Sequence, residues 1–213
     1  MKLYNNNLSP FAARPRVAIY AKNLPVHVLP PPGGVAKSAE YLAINPMGKI
    51  PALVLDDGTV VPESDTIVEY FADAFPESRL RPTKAEDIAR GRLIARVAEL
   101  YVMTGGEALF SQLNPQTRDA AALDAGLAKL ESGLQHLNVF MSDDPYAVGD
   151  TVTTADCALV PILFFVGVFS QAFGKGDLLA RHGKVADYWS RVRKDQSVVR
   201  VLGEMGAALA ARR

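Results

Sequence analysis

Asn45-Pro46-Met47-Gly48-Lys49-Ile50-Pro51 runs directly into Ala52-Leu53-Val54-Leu55, then Asp56-Asp57-Gly58, then Thr59-Val60-Val61. An Asp-Gly turn between two apolar runs is a strong hairpin signal. Two prolines bracket a glycine just ahead of the first strand, and proline at a strand start after an apolar residue is compatible with a cis peptide bond. Such a bond leaves the N–H and C=O of Ile50 outside the ladder, free to pair with an extended peptide-like ligand as an added strand would. The alternative is an ordinary proline-rich loop.

Upstream, Lys2-Leu3-Tyr4 predicts a short strand that ends at Asn5-Asn6-Asn7. Pro10 to Lys22 predicts a helix, with Ser9 as its cap and Pro10 at its first position. Val26 to Leu29 predicts a second strand, stopped by Pro30-Pro31-Pro32-Gly33-Gly34, and residues 36–43 a short helix. Downstream, Ser64 to Phe75 carries Ile67, Val68, Tyr70 and Phe71 at helical spacing, with Ser64 as cap and Pro76 as terminator. The order β-α-β, α, β-β-α within one short stretch predicts a mixed sheet with helices on its faces.

Everything after this reads as helix. Residues 77–85 predict a linker between a first domain, 1–76, and an all-helical second domain, 86–213. Leu93, Val97, Leu100 and Thr104 are expected to share one face. Leu123, Leu127, Leu130, Leu134 and Leu137 follow the spacing of a packed bundle helix. Thr153-Thr154-Ala155-Asp156 matches a capping box ahead of Cys157 to Phe169, a run apolar on all sides and so expected at the centre of the bundle. That run is read as too short to cross a membrane, which takes about 20 residues.

Composition limits the chemistry. The 213 residues carry 23 basic and 23 acidic side chains, so no global charge footprint points to nucleic acid or an anionic membrane. The balance is even along the chain, with 6 basic and 7 acidic side chains in residues 1–75. One cysteine, Cys157, precludes an internal disulfide and a thiolate zinc site, and the three histidines show no ligand spacing, so no metal is expected. The N-terminal stretch lacks the apolar run of a signal peptide. A soluble protein of a reducing, cytoplasmic compartment is expected. Cys157, at the start of the most apolar helix, is expected to be a small core residue.

Two positions read in two ways. Ser9 either caps its helix and nothing more, or also offers its hydroxyl and the helix dipole to a thiolate. Glu63 and Ser64, where a strand gives way to a helix, either shape the turn or hold an α-amino acid end, Glu63 facing the ammonium and the helix start the carboxylate.

Ser9-Pro10-Phe11-Ala12-Ala13-Arg14-Pro15-Arg16, Asn45 to Pro51, and Pro62-Glu63-Ser64-Asp65-Thr66-Ile67 resemble, in order and spacing, the cytosolic glutathione S-transferases. Gly149 to Asp156 is similar to the capping-box segment of that family's helical domain. The resemblance covers essentially the whole chain. It implies an α/β thioredoxin-like N-terminal domain, an all-α helical-bundle C-terminal domain, and glutathione as co-substrate. It places Ser9 where serine-type classes hydrogen-bond the glutathione sulfur. Ile50, before Pro51, would pair its backbone with the cysteinyl part, and Glu63 and Ser64 would hold the γ-glutamyl end. Many relatives use Gln or His for the glycine carboxylate, and Ala36 stands there, leaving Lys37 or a backbone group. Phe11, with Tyr101 and Thr104, would line a hydrophobic electrophile pocket between the domains.

The resemblance also implies a detoxifying, cytoplasmic homodimer that conjugates glutathione to a small electrophile, with no nucleic-acid or membrane partner. A glutathione-dependent isomerase or dehalogenase is the alternative within enzymology, and a non-catalytic binding module of the same fold is the alternative outside it. The Ser-Ser-Cys start of the maleylacetoacetate isomerase class is absent, since Pro10 and Phe11 stand there, which counts against that isomerase.

Overall fold

The computed structural model describes residues 1–212, so position 213, the last of the expected second domain, lies outside the described residues. Strands β1 (Lys2–Tyr4), β2 (His27–Leu29), β3 (Ala52–Val54) and β4 (Val60–Pro62) form one sheet in the order β2-β1-β3-β4. Leu3 lies opposite Val28 in the parallel pair and opposite Leu53 in the antiparallel pair. The parallel pair needs a crossover, which is helix α1 (Pro10–Lys22). The hairpin closes more tightly than its sequence suggests: Leu55 N–H donates to the Thr59 carbonyl at 2.9 Å, and Asp57 Oδ1 accepts from Thr59 N–H at 2.9 Å. Those bonds draw Leu55 and Thr59 into the turn, so β3 ends one residue early at Val54 and β4 is shifted by one residue to Val60–Pro62.

Helix α3 (Ser64–Ala74) packs against α1, and Leu3, Val17, Leu53, Ile67 and Phe71 are fully buried beneath them. The short helix α2 (Ala39–Leu42) begins later than the expected 36–43 because Ser38 caps it, accepting from Tyr41 N–H at 3.1 Å. The terminal helix α9 (Gln196–Ala210) also packs on α1. The first compact unit is therefore Met1–Arg81 together with the segment from Asp195 onward. A linker drawn at 77–85 divides the chain once, whereas the fold returns the C-terminal helix to the first unit. With neighbours on both sides, α1 is buried all round from Ala12 to Ile19.

The second unit, Pro82–Lys194, is helical throughout: α4 (Ala85–Val97), α5 (Thr104–Phe110), α6 (Ala120–Phe140), α7 (Thr154–Ala172) and α8 (Gly183–Val192). Between α4 and α5 the chain makes a wide π-type turn, Ala98–Met103. The face expected at 93, 97, 100 and 104 does not form: within α4 the buried stripe runs through Gly91, Ile94 and Val97, and beyond it the π-type turn shifts the register. Val97 is buried, but Leu93, Leu100 and Thr104 face solvent, and Ile94, Ala98 and Val102 take their place. The α6 leucines keep their register, with Leu130, Leu134 and Leu137 buried.

Helix α7 is the core of this unit. It spans 19 residues, longer than the apolar run read from sequence, because Thr154-Ala155-Asp156 and Ser170-Gln171-Ala172 extend it at either end. By length and composition it could cross a membrane, but 72% of its most apolar 18-residue window is buried inside the protein. Cys157 is buried within it and forms no disulfide among the described residues. Its capping box forms: buried Asp156 accepts from Thr153 N–H and Oγ1, both at 2.8 Å, from Ala147 N–H at 2.9 Å and from the Tyr188 hydroxyl at 3.0 Å. Burial pushes the Asp156 carboxyl up, and the four donors oppose that rise.

Candidate functional site

Ser9 sits at the start of α1 with extended backbone, and its Oγ accepts from Ala12 N–H at 3.2 Å. The cap uses a lone pair and leaves the hydroxyl proton free to donate outward. Ser9 N–H is itself bound to the Asn6 carbonyl at 3.0 Å, so a turn holds the residue from behind. Phe11 is half-buried, and the Arg14 guanidinium lies 5.2 Å from its ring centroid.

The Ile50–Pro51 peptide bond is cis. Strand β3 begins at Ala52, so Ile50 stands outside the ladder, and among the described residues no turn or loop bond uses its backbone. The carbonyl just before it is held firmly. Lys49 C=O accepts from the Tyr41 hydroxyl at 2.7 Å and from Asn45 Nδ2 at 2.9 Å. Asn45 also closes the preceding turn, its Oδ1 taking Met47 N–H at 3.2 Å and its carbonyl taking Gly48 N–H at 2.8 Å. Lys37 reaches this same loop, Nζ donating to the Met47 carbonyl at 3.2 Å. Gly48, at φ +56°, permits the approach, since a Cβ there would lie 2.8 Å from Lys37 Nζ and 2.9 Å from Leu42.

Glu63 rather than Ser64 occupies the cap of α3, and Ser64 is the first helical residue. The chain reaches the helix through Glu63 at φ +68°, a conformation that side chains other than glycine adopt at a cost of about 1–3 kcal/mol. That turn leaves the Glu63 side chain exposed, with no capping bond, while Ser64 is buried.

The first unit thus gathers Ser9 after β1, Ile50 and Pro51 before β3, Glu63 and Ser64 after β4, and Lys37 against the Ile50 loop. Tyr101 and Thr104 belong to the second unit and are exposed. The Tyr101 ring meets His136 edge-on at 5.6 Å, and Thr104 Oγ1 donates to the Glu99 carbonyl at 3.4 Å. Neither is a core residue. Tyr41 and Asn45 were not singled out from sequence as site residues. The motif contains Asn45, but only the folded loop shows both side chains meeting on Lys49.

A thioredoxin-like sheet with a cis-proline loop, joined in one chain to an all-helical unit, defines the architecture of the glutathione transferases, and the comparisons agree. The Glutathione S-transferase N-terminal domain matches residues 3–79, and the Glutathione S-transferase C-terminal domain matches 100–195. Glutathione S-transferase Z2 of Arabidopsis thaliana is 33% identical over 76% of this chain and 74% of its own. Maleylacetoacetate isomerase of Pseudomonas aeruginosa is 27% identical over 91% of this chain and 88% of its own. A holo structure of maleyl pyruvate isomerase, a bacterial zeta-class enzyme, superposes with a TM-score of 0.76 at 25% identity, over 94% of this chain and 96% of the other. This chain belongs to the glutathione S-transferase family and is an enzyme of that family. Isomerases stand among its relatives although the Ser-Ser-Cys start is missing, so that absence does not set the chain apart from them.

Proposed function

We propose that this protein binds glutathione in its first unit, holds it as the thiolate through Ser9, and transfers it to a small hydrophobic electrophile. The supporting observation is the Ser9 hydroxyl, whose oxygen caps α1 by accepting from Ala12 N–H, a role that does not use its proton. In this reading Ile50 pairs its free peptide groups with the cysteinyl residue beside Pro51. Glu63 takes the γ-glutamyl ammonium and Ser64 its carboxylate, while Lys37 reaches the glycine carboxylate. Phe11, Tyr101 and Thr104 are proposed contacts of the electrophile.

Free thiols ionise near pH 8.5, so only a few per cent is nucleophilic at neutrality. A hydroxyl donor and a helix N-terminus both favour the anion, and a two-unit depression corresponds to about 2.7 kcal/mol. The sulfur lone pair then forms a carbon–sulfur bond while the leaving group departs with its bonding electrons. Ser9 donates a hydrogen bond throughout and is not itself the nucleophile. The test is Ser9→Ala assayed with glutathione and an activated aryl halide. At least a tenfold fall in kcat/KM is expected, and unchanged turnover overturns the reading. Calorimetric titration with glutathione separates this enzyme from a binding module without a site, which would give no heat.

A second reading is favoured by the isomerases among the relatives. There the same thiolate adds to a maleyl-type double bond, the adduct rotates, and the thiolate is expelled with glutathione regenerated. Product analysis decides: a stable thioether supports conjugation, and a cis-to-trans change without net glutathione consumption supports isomerisation. A two-fold homodimer in a cytoplasmic setting completes the proposal. Sedimentation at the monomer mass would contradict the dimer.

A further inference from the structure

Arg16 lies on α1, two turns beyond Ser9, and its side chain is wholly shielded from solvent. A guanidinium out of water must be partnered, and here the partners join three parts of the first unit. Nη1 donates to Glu204 Oε2 on α9, and Nη2 donates to the Asn7 carbonyl at 2.8 Å. The Tyr20 hydroxyl donates to Glu204 Oε1 at 3.1 Å, and Arg200 Nε to the same oxygen at 3.3 Å. The Arg200 guanidinium covers the Tyr20 ring at 3.7 Å. Burial pushes Arg16 down from its ordinary value, while Glu204 pulls it back.

Asn7 is two residues before Ser9. The stretch from Asn5 to Ser9 is polar apart from half-buried Leu8, and Asn6 and Asn7 are exposed, so little apolar surface anchors it. Hydrogen bonds do most of the holding: Asn5 N–H to the Leu29 carbonyl at 2.8 Å, and within the loop Asn5 Nδ2 to Asn7 Oδ1 at 2.7 Å, Leu8 N–H to Asn6 Oδ1 at 2.9 Å and Ser9 N–H to the Asn6 carbonyl at 3.0 Å. Arg16 Nη2 to the Asn7 carbonyl is the bond that ties this loop to α1 and, through Glu204, to α9. A hydroxyl donor weakens steeply when distance or angle is lost, so the aim of Ser9 depends on this loop.

We infer that Arg16 and Glu204 are positioning residues for Ser9: the C-terminal helix, through a buried ion pair, fixes the loop that directs the Ser9 hydroxyl at the sulfur of bound glutathione. The inference rests on the reading of Ser9 given above. The role is geometric. Seven residues of helix separate Ser9 from Arg16, about 10 Å, and Glu204 neutralises the cation. Glu204 is thus a residue of the last helix serving a site built from the first 64 residues.

The test follows the ultraviolet thiolate absorbance of bound glutathione against pH. The proteins are wild type, Ser9→Ala, Arg16→Lys, Glu204→Ala, Glu204→Gln, and Glu204→Ala combined with Ser9→Ala, each also melted thermally. Arg16→Lys keeps the charge and loses the fork that reaches Asn7 and Glu204 together. Arg16→Lys and Glu204→Ala are expected to raise the thiolate midpoint by about half to one unit, a roughly three- to tenfold smaller ionisation constant. Glu204→Gln, which keeps an acceptor for Arg16, is expected to shift it less. In the Ser9→Ala background, Glu204→Ala is expected to add no further shift, because its effect passes through Ser9. If Glu204→Ala does not fold, Glu204→Asp, which shortens the reach, carries the same expectation.

Lower melting temperatures with an unmoved midpoint would make the pair merely structural and overturn the inference. An equal shift with and without the Ser9 hydroxyl would overturn it too, by removing Ser9 from the route. If Ser9→Ala alone leaves the midpoint at the wild-type value, the Ser9 reading falls first and takes the inference with it.

Discussion

Asn45 Nδ2 donates to the carbonyl oxygen of Lys49 at 2.9 Å, four residues along the chain and directly ahead of the Ile50–Pro51 peptide. The amide holds the loop from inside, where Asn45 is 1% exposed. Asn45→Ala deletes this donor and the acceptor for Met47 N–H together. Two lost hydrogen bonds in a buried setting correspond to about 1–3 kcal/mol of stability. The proposed site also predicts roughly tenfold weaker glutathione binding by calorimetry. Tyr41→Phe, which leaves Asn45 on the same carbonyl, is expected to cost about half as much.

Glu63 trades stability for position. Its φ of +68° suits glycine, so Glu63→Gly is expected to raise stability by up to about 1 kcal/mol in chemical denaturation. The same substitution removes the proposed partner of the γ-glutamyl ammonium, and the KM for glutathione should rise several-fold. A variant that loses both stability and affinity would show that the side chain anchors the turn instead.

Helix α6 approaches the π-type turn so closely that a Cβ at Gly133 would lie 2.4 Å from the Tyr101 carbonyl oxygen. Backbone cannot yield as a flexible side chain would. Gly133→Ala is therefore expected to destabilise by about 1–3 kcal/mol despite the better helix propensity of alanine. Gly203→Ala on α9, where nothing lies within 4 Å of the added methyl, is the control and is expected to stabilise by up to about 1 kcal/mol. Thermal melts of the two variants should move in opposite directions.

Asp156 collects four donors in the core of the second unit, and Asp156→Ala leaves all of them unsatisfied. A loss of roughly 3–5 kcal/mol is expected. Tyr188→Phe removes one donor and leaves three, so about 1.5–2 kcal/mol is expected from it. Retained glutathione affinity in whatever fraction of Asp156→Ala still folds would confirm that this cluster serves folding and not the site.

Local pattern carried most of the fold and part of the candidate site. The Asp-Gly turn, the Ser9-Pro10 start and the Thr153–Asp156 box each depend on residues within a few positions of one another, so their spacing alone announced them. At Pro51 the pattern was compatible with a cis bond but equally with an ordinary loop, and the fold decided for cis. What depended on the sum of many weak preferences was not legible. The π-type turn at Ala98–Met103 displaced a face that regular helical spacing assigned to Leu100 and Thr104. Glu63 took the cap expected of Ser64 because the turn out of β4, and not the cap preference of serine, set its backbone.

The amino-acid sequence by itself determined a β-α-β, α, β-β-α unit, a helical remainder, and Ser9, Ile50, Glu63 and Ser64 as the residues to examine, because each is defined by its neighbours in the chain. Tertiary structure decided which of them are held and by what. Tyr41 and Asn45 converge on one carbonyl, and Arg16 finds Glu204 across 188 residues. No spacing rule spans that distance. An arginine within an apolar helix signals only that some carboxylate must come to meet it, and the packing of α9 against α1 supplies which one.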